Sequence, residues 1–231
     1  MKVKELKTAV VCAFLMGLGG ACTSSGSDGV QLSTPWLGPL NGFERVNGTG
    51  HFGVFLKKTE SAIDRFESGI VVEPEIIVAA GSDLGSVPSA AYKKIKLLFS
   101  ELYRQEMAKK IPTANTDEER KGSSHLIRAV LTNIKITRTK MENSTPPKLS
   151  DIQFSFGNST IEGEVRLRRT NERLAAFILP INAATIGWSA LRRQFSTLAL
   201  QAAAEAGETR KAINTRTDLQ PGLAAKTPAK K

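Results

Sequence analysis

A chain of 231 residues, 41% hydrophobic and 23% charged, fits a single folded domain with flexible ends. Its two cysteines exclude a disulfide framework, and its formal net charge of +10 favours anionic partners.

Lys2, Lys4 and Lys7 open the chain, residues 10–18 form an apolar run, and Gly19, Gly20 and Ala21 lead to Cys22. Basic, apolar and small segments in that order make a secretory signal peptide, residues 1–21. The apolar run is about half the length a helix needs to cross a bilayer, so no permanent span is expected there. The cysteine directly after the small residues resembles the lipobox of bacterial lipoproteins. That resemblance implies a diacylglyceryl group on Cys22, cleavage before it, and acylation (palmitate) of the new amino end. Leu18 stands four places before Cys22 instead of the usual three, which keeps cleavage after Ala21 and a soluble periplasmic product open. Cys12 leaves with the signal, so the mature chain retains Cys22 alone and can form no internal disulfide. Thr23 stands where members retained in the inner membrane carry aspartate, so the resemblance implies a periplasm-facing outer-membrane lipoprotein.

Residues 22–41 are rich in Ser, Gly, Thr and Pro and read as a flexible tether. Gly48-Thr49-Gly50-His51-Phe52-Gly53 matches G-x-G-x-x-G, but no buried strand precedes it, and a glycine-rich loop is expected. Residues 70–78 are β-branched and apolar around Pro74, which predicts a strand with an edge or bulge at the proline. Ser86 or Ser89 can cap the following helix, where Ile95, Leu98, Phe99 and Leu102 recur at helical spacing. Residues 126–137 read as a strand whose alternation changes phase near Asn133, as a bulge requires. A long connection, 140–158, follows.

In 160–170, Ile161, Gly163, Val165 and Leu167 alternate with Glu162, Glu164, Arg166 and Arg168, the pattern of a half-buried strand with a wet face. A turn at 170–173 leads into a partner strand, 174–180. Ser189 can cap a last helix with Leu191, Phe195, Leu198 and Ala202 inward. From 207 to 231 the chain turns polar and basic and is expected to be disordered. The expected fold is α+β: one domain, 42–206, with two helices packed on a sheet of about four mainly antiparallel strands.

Several of these pieces resemble one family. They are residues 66–78 with the helix of Tyr92, the strand 126–134, Ile161-Glu162-Gly163-Glu164-Val165, the return strand at Leu174, and Trp188 seven residues before Phe195. Together they are similar to an uncharacterised family of Gram-negative lipoproteins, domain-of-unknown-function 3313, over roughly residues 35–206. The family brings no activity and no catalytic residue.

No enzyme signature stands out, and no enzymatic role is expected. His51 and His125 are the only histidines, without a nucleophile-elbow motif or thiol partners, and both read as surface residues. Glu73 and Glu75, flanking Pro74, could pair as acid and base. No metal or cofactor is expected. The charge points elsewhere. The leader holds three lysines and one glutamate, so eight of the ten formal positive charges remain after it. Arg166, Arg168, Arg169 and Arg173 cluster around the hairpin and are the candidates for an anionic contact. Export and the lack of interleaved aromatics argue against nucleic acid. The expected partners are the membrane, through the N-terminal lipid, and envelope proteins or anionic lipid, with the oligomeric state left open. The alternative is a soluble periplasmic binding module for an anionic or apolar ligand.

Overall fold

The computed structural model describes residues 33–49, 52–58, 64–139 and 148–219. The leader, Cys22, the start of the expected tether, His51 and residues 220–231 lie outside them. In chain order the strands are β1 (Ser33–Thr34), β2 (Gly38–Pro39), β3 (Phe43–Arg45), β4 (Gly53–Lys57), β5 (Gly69–Val71) and β6 (Glu75–Val78). Two helices come next, α1 (Ser89–Lys110) and the short α2 (Asp117–Gly122). Then come β7 (His125–Arg138), β8 (Ile152–Ser155), β9 (Thr160–Leu167), β10 (Arg173–Pro180), β11 (Thr185–Gly187) and α3 (Trp188–Leu219).

β1 and β2 pair only with each other, and the other nine strands form one sheet, in the order β11-β8-β7-β9-β10-β4-β3 with β5 and β6 also on β7. The sheet is larger than the four strands expected, and three helices accompany it where two were expected. The surplus strands have local causes. Pro74 cannot donate to a ladder, so the expected single strand divides into β5 and β6, both parallel to β7 across the α1 crossover. The connection at 140–158 holds β8. The glycine-rich segment closes a β3–β4 hairpin: Gly48 and Gly53 have φ of 91° and 124°, and a Cβ on either would strike the other's backbone.

The phase change in β7 is real. Asn133 has φ 57°, and this left-handed residue divides a stretch paired with β9 (125–132) from one paired with β8 (135–138). Ser159 Oγ donates to the Asn133 carbonyl at 2.9 Å and holds the bulge.

One face of the sheet carries the helices. Ile95, Phe99, Tyr103 and Met107 of α1 and Leu191, Phe195, Ala199, Ala202 and Ala206 of α3 are buried against Ile127, Leu131, Val165 and Phe177. Neither expected serine caps α1: its N-cap is Pro88, and Ser89 is already helical. Gly163 sits opposite Phe177 in the β9–β10 register, and the ring lies so close that a Cβ there would stand 2.0 Å from Phe177 Cζ.

The other face was expected to be wet, and it is covered. Leu37, Leu40 and Phe43 bury themselves with Phe55, Ala176 and Ile178, and Trp36 packs beside them. The segment from 33 to 41, assigned to the tether, is thus a strap across the sheet. A short run with Trp36, Leu37 and Leu40 has too little periodicity to read as structure alone, and the apolar backs of β4 and β10 supply its reason to fold.

The C-terminal boundary also moves. α3 continues past Gly207 to Leu219, with Thr209 and Ile213 fully buried. Its last turns clasp the sheet edge: Arg210 and Asn214 donate to the Phe66 carbonyl at 3.0 and 3.2 Å, and Arg216 donates to the Lys57 carbonyl at 2.6 Å and pairs with Glu44. The polar composition of 208–219 reflects these edge contacts.

Two outcomes are expected. Truncation after Gly207 removes Ile213 and the clasp, so the thermal midpoint should fall by about 10 °C or more; an unchanged midpoint means the segment does not pack. Gly163→Ala forces Phe177 out of its rotamer and should cost about 2 kcal/mol in urea unfolding.

Candidate functional site

The polar residues of β9 build the most connected site in the molecule. Glu162, Glu164 and Arg166 alternate onto the strap-covered face, and the register sets Arg128 of β7 directly opposite Glu164 and Arg173 of β10 opposite Arg166. Glu164 is 1% exposed. It accepts from Arg166 Nε and Arg173 Nε, each at 2.7 Å, and from Arg128 Nη1 at 3.3 Å. Burial pushes its carboxyl up, but the hydrogen bonds and charges of Arg166 and Arg173 outweigh this and hold it below the usual carboxylate range. Arg128 also stacks over Trp36, 5.5 Å from the ring centroid.

Glu162, fully buried, serves the strap. It accepts from the Thr34 hydroxyl, from Leu37 N at 3.0 Å and from Trp36 N at 3.3 Å. Thr160 Oγ1 donates to its other oxygen at 3.3 Å. The two carboxylates therefore lock the strap, β7, β9 and β10 together.

The four arginines named from sequence do not act as one patch. Arg166 and Arg173 are largely spent on Glu164, and Arg166 also donates to the Asn171 carbonyl at 2.7 Å. Arg168 and Arg169 are exposed, and Arg168 donates to the Arg120 carbonyl on α2. Arg128 was missed; its place opposite Glu164 depends on a strand pairing that spans 36 residues. Glu73 and Glu75 do not converge either, since they face Arg104 at 3.9 Å and Arg128 at 3.8 Å.

His125 is fully buried, contrary to the surface position expected. It stacks on Phe66 at 4.5 Å, and its Nδ1 lies 2.8 Å from Ser124 Oγ. Burial lowers its pKa, with Asp64 opposing. Among the described residues no cluster of three or more His, Cys, Asp or Glu suits a metal ion.

A cleft of about 490 Å³ opens between α3 and the chain following β10. Leu179, Ile181 and Leu198 give it apolar walls, and Gln194, Gln201 and Glu205 line it with polar groups. Burial, then Glu208, push the Glu205 carboxyl up.

No protein-family model and no curated protein matches the chain. Solved structures with partial likeness include a neuraminyllactose-binding hemagglutinin homolog from Helicobacter pylori, 6% identical, covering 70% of this chain and 95% of that one at a TM-score of 0.44. A protein of domain-of-unknown-function 330 from Xanthomonas campestris is 12% identical, covering 68% and 91% at 0.35. A PelC dodecamer from Paraburkholderia phytofirmans is 8% identical, covering 66% and 93% at 0.29. Likeness at these scores carries no argument about function.

Glu164→Gln leaves three guanidiniums around a neutral group and should cost about 3–5 kcal/mol. Because the folded pKa lies below the unfolded value of about 4.3, the stabilisation is present above that pH and is lost as pH falls through the folded value. Denaturant midpoints from pH 7 to pH 3 should therefore fall less steeply in the variant than in the parent chain; parallel profiles mean that Glu164 does not carry the acid dependence.

Proposed function

We propose that this chain is a lipid-anchored cell-envelope protein, a non-enzymatic interaction or structural module held at the periplasmic face of the outer membrane. The observation that carries the reading is the short path from Cys22 to the folded domain. Eleven residues after the cysteine, the chain enters β1 at Ser33, and Glu162 grips the next residue, Thr34. Eleven residues reach at most about 40 Å, so a lipid on Cys22 would hold the sheet within that distance of the membrane surface. The lipobox and the resemblance to domain-of-unknown-function 3313 lipoproteins support the same reading. Among the described residues no helix is long and apolar enough to cross a membrane.

The cleft beside α3 favours a second reading, a soluble periplasmic module that binds a small apolar ligand. Its walls of Leu179, Ile181 and Leu198, with polar groups along one side, have the make-up of a small-molecule site.

The mature amino-terminal peptide distinguishes the two. Mass spectrometry should find it beginning at Cys22 and carrying acyl chains, with the protein in the outer-membrane fraction. A free, unmodified Cys22 on protein released with the periplasm overturns the anchored reading and leaves the second.

A further inference from the structure

The first halves of α1 and α3 carry cations that nothing among the described residues answers. The two helices run parallel: Phe99 packs on Phe195 at 5.1 Å, and further along Lys110 Cβ lies 3.8 Å from the position of a Cβ on Gly207. The same register sets Lys96 level with Arg192. Lys93, Lys94, Lys96, Arg192 and Arg193 are all exposed, and none has a side-chain hydrogen bond or ion pair among the described residues. α1 holds no acid before Glu101 and α3 none before Glu205; the nearest acid ahead of α1 is Asp83.

Folding alone would not choose this pattern. A helix start is a region of partial positive charge where acids in the first turn stabilise. Yet neither helix has an acid in its first turn, and no side chain caps α1. Lys93 and Lys96, three apart, add like-charge repulsion. Elsewhere in the molecule the arginines of β7, β9 and β10 are matched to a carboxylate. Exposed cations that sit near one another without an internal partner suit an anionic partner outside the chain.

The same face carries apolar surface. Leu97 is 64% exposed, one turn after Lys93 and Lys94. An exposed apolar side chain one turn from a pair of cations matches a bilayer surface, where phosphates lie above acyl chains. An acidic protein would answer the charges and leave Leu97 without an apolar partner. We propose that the outer face of the first halves of α1 and α3 docks on an anionic lipid bilayer.

This deepens the membrane-anchored reading, and the test separates the two. The full chain carrying Cys22→Ser, which cannot be lipidated, is sedimented with phosphatidylcholine vesicles and with vesicles containing phosphatidylglycerol, at 50 and 300 mM salt. Each surface cation contributes roughly fivefold in affinity, so Lys93→Glu with Lys96→Glu and Arg192→Glu should lower binding to the anionic vesicles on the order of a hundredfold at low salt. Binding to phosphatidylcholine should not change. Charge-neutral Gln variants of the same residues, with unaltered thermal midpoints, should fall in the same direction. Arg168→Glu with Arg169→Glu, beyond the far end of α1, should have little effect. Unchanged anionic binding in the helix variants overturns the proposal. An equal or larger loss from the hairpin variant overturns it in favour of that end. Loss of binding to polyglutamate with vesicle binding intact overturns it in favour of an acidic protein. The lipid on Cys22 is judged separately by mass spectrometry of the chain with its cysteine, so failure of either idea leaves the other standing.

Discussion

Two carboxylates on one strand, Glu162 and Glu164, are buried beneath the strap, and a buried carboxylate has to be satisfied. Glu164 gathers guanidiniums from β7, β9 and β10, while Glu162 takes the hydroxyl and backbone N–H groups of a segment more than 120 residues away in the chain. These bonds set the geometry of the whole back face. Once Thr34 and Leu37 are tied to Glu162, Leu37 and Leu40 fall over Phe55, Ala176 and Ile178, and apolar burial adds to what the hydrogen bonds began.

The second long-range closure comes from the other terminus. α3 begins at Trp188 over Phe154, lays its alanine-rich side against α1, and ends with Arg216 on the β3–β4 edge. Small side chains at 199, 202, 203 and 206 let the two helices approach closely. The domain is thereby clasped at both ends of the chain, by a strap on one face of the sheet and by the last turns of a helix on the other.

Charge divides by the same geometry. Arginines on neighbouring strands, Arg128, Arg166 and Arg173, lie within reach of a carboxylate because cross-strand neighbours are about 5 Å apart. Lys93, Lys94, Lys96, Arg192 and Arg193, on the first halves of α1 and α3, are exposed without a carboxylate partner among the described residues, while Arg104, Lys109 and Lys211 further along pair with acids. Positive charge is therefore distributed unevenly: neutralised where strand register sets a carboxylate beside it, open at the starts of the two long helices.

Much of this was legible from residue order. Helical spacing in α1 and α3, the alternation of β9, the turn at 170–173 and the phase change at Asn133 are local properties, and local geometry decided them. The expected leader and lipobox are readings of linear order alone and lie outside the described residues. Three things were not legible. The alternation of Glu162 and Glu164 with apolar residues is the same whether that face meets water or a strap, and only the arrival of residues 33–41 makes it an interior. The polar stretch 208–219 has the composition of a tail and becomes helix because Ile213 and Asn214 find the core and Phe66. Arg128 joins Arg166 and Arg173 through strand pairing alone. Sequence determined the elements and their inward residues, since periodicity is a property of the local backbone. Tertiary structure decided which polar residues are buried, because burial depends on what the rest of the chain lays over them.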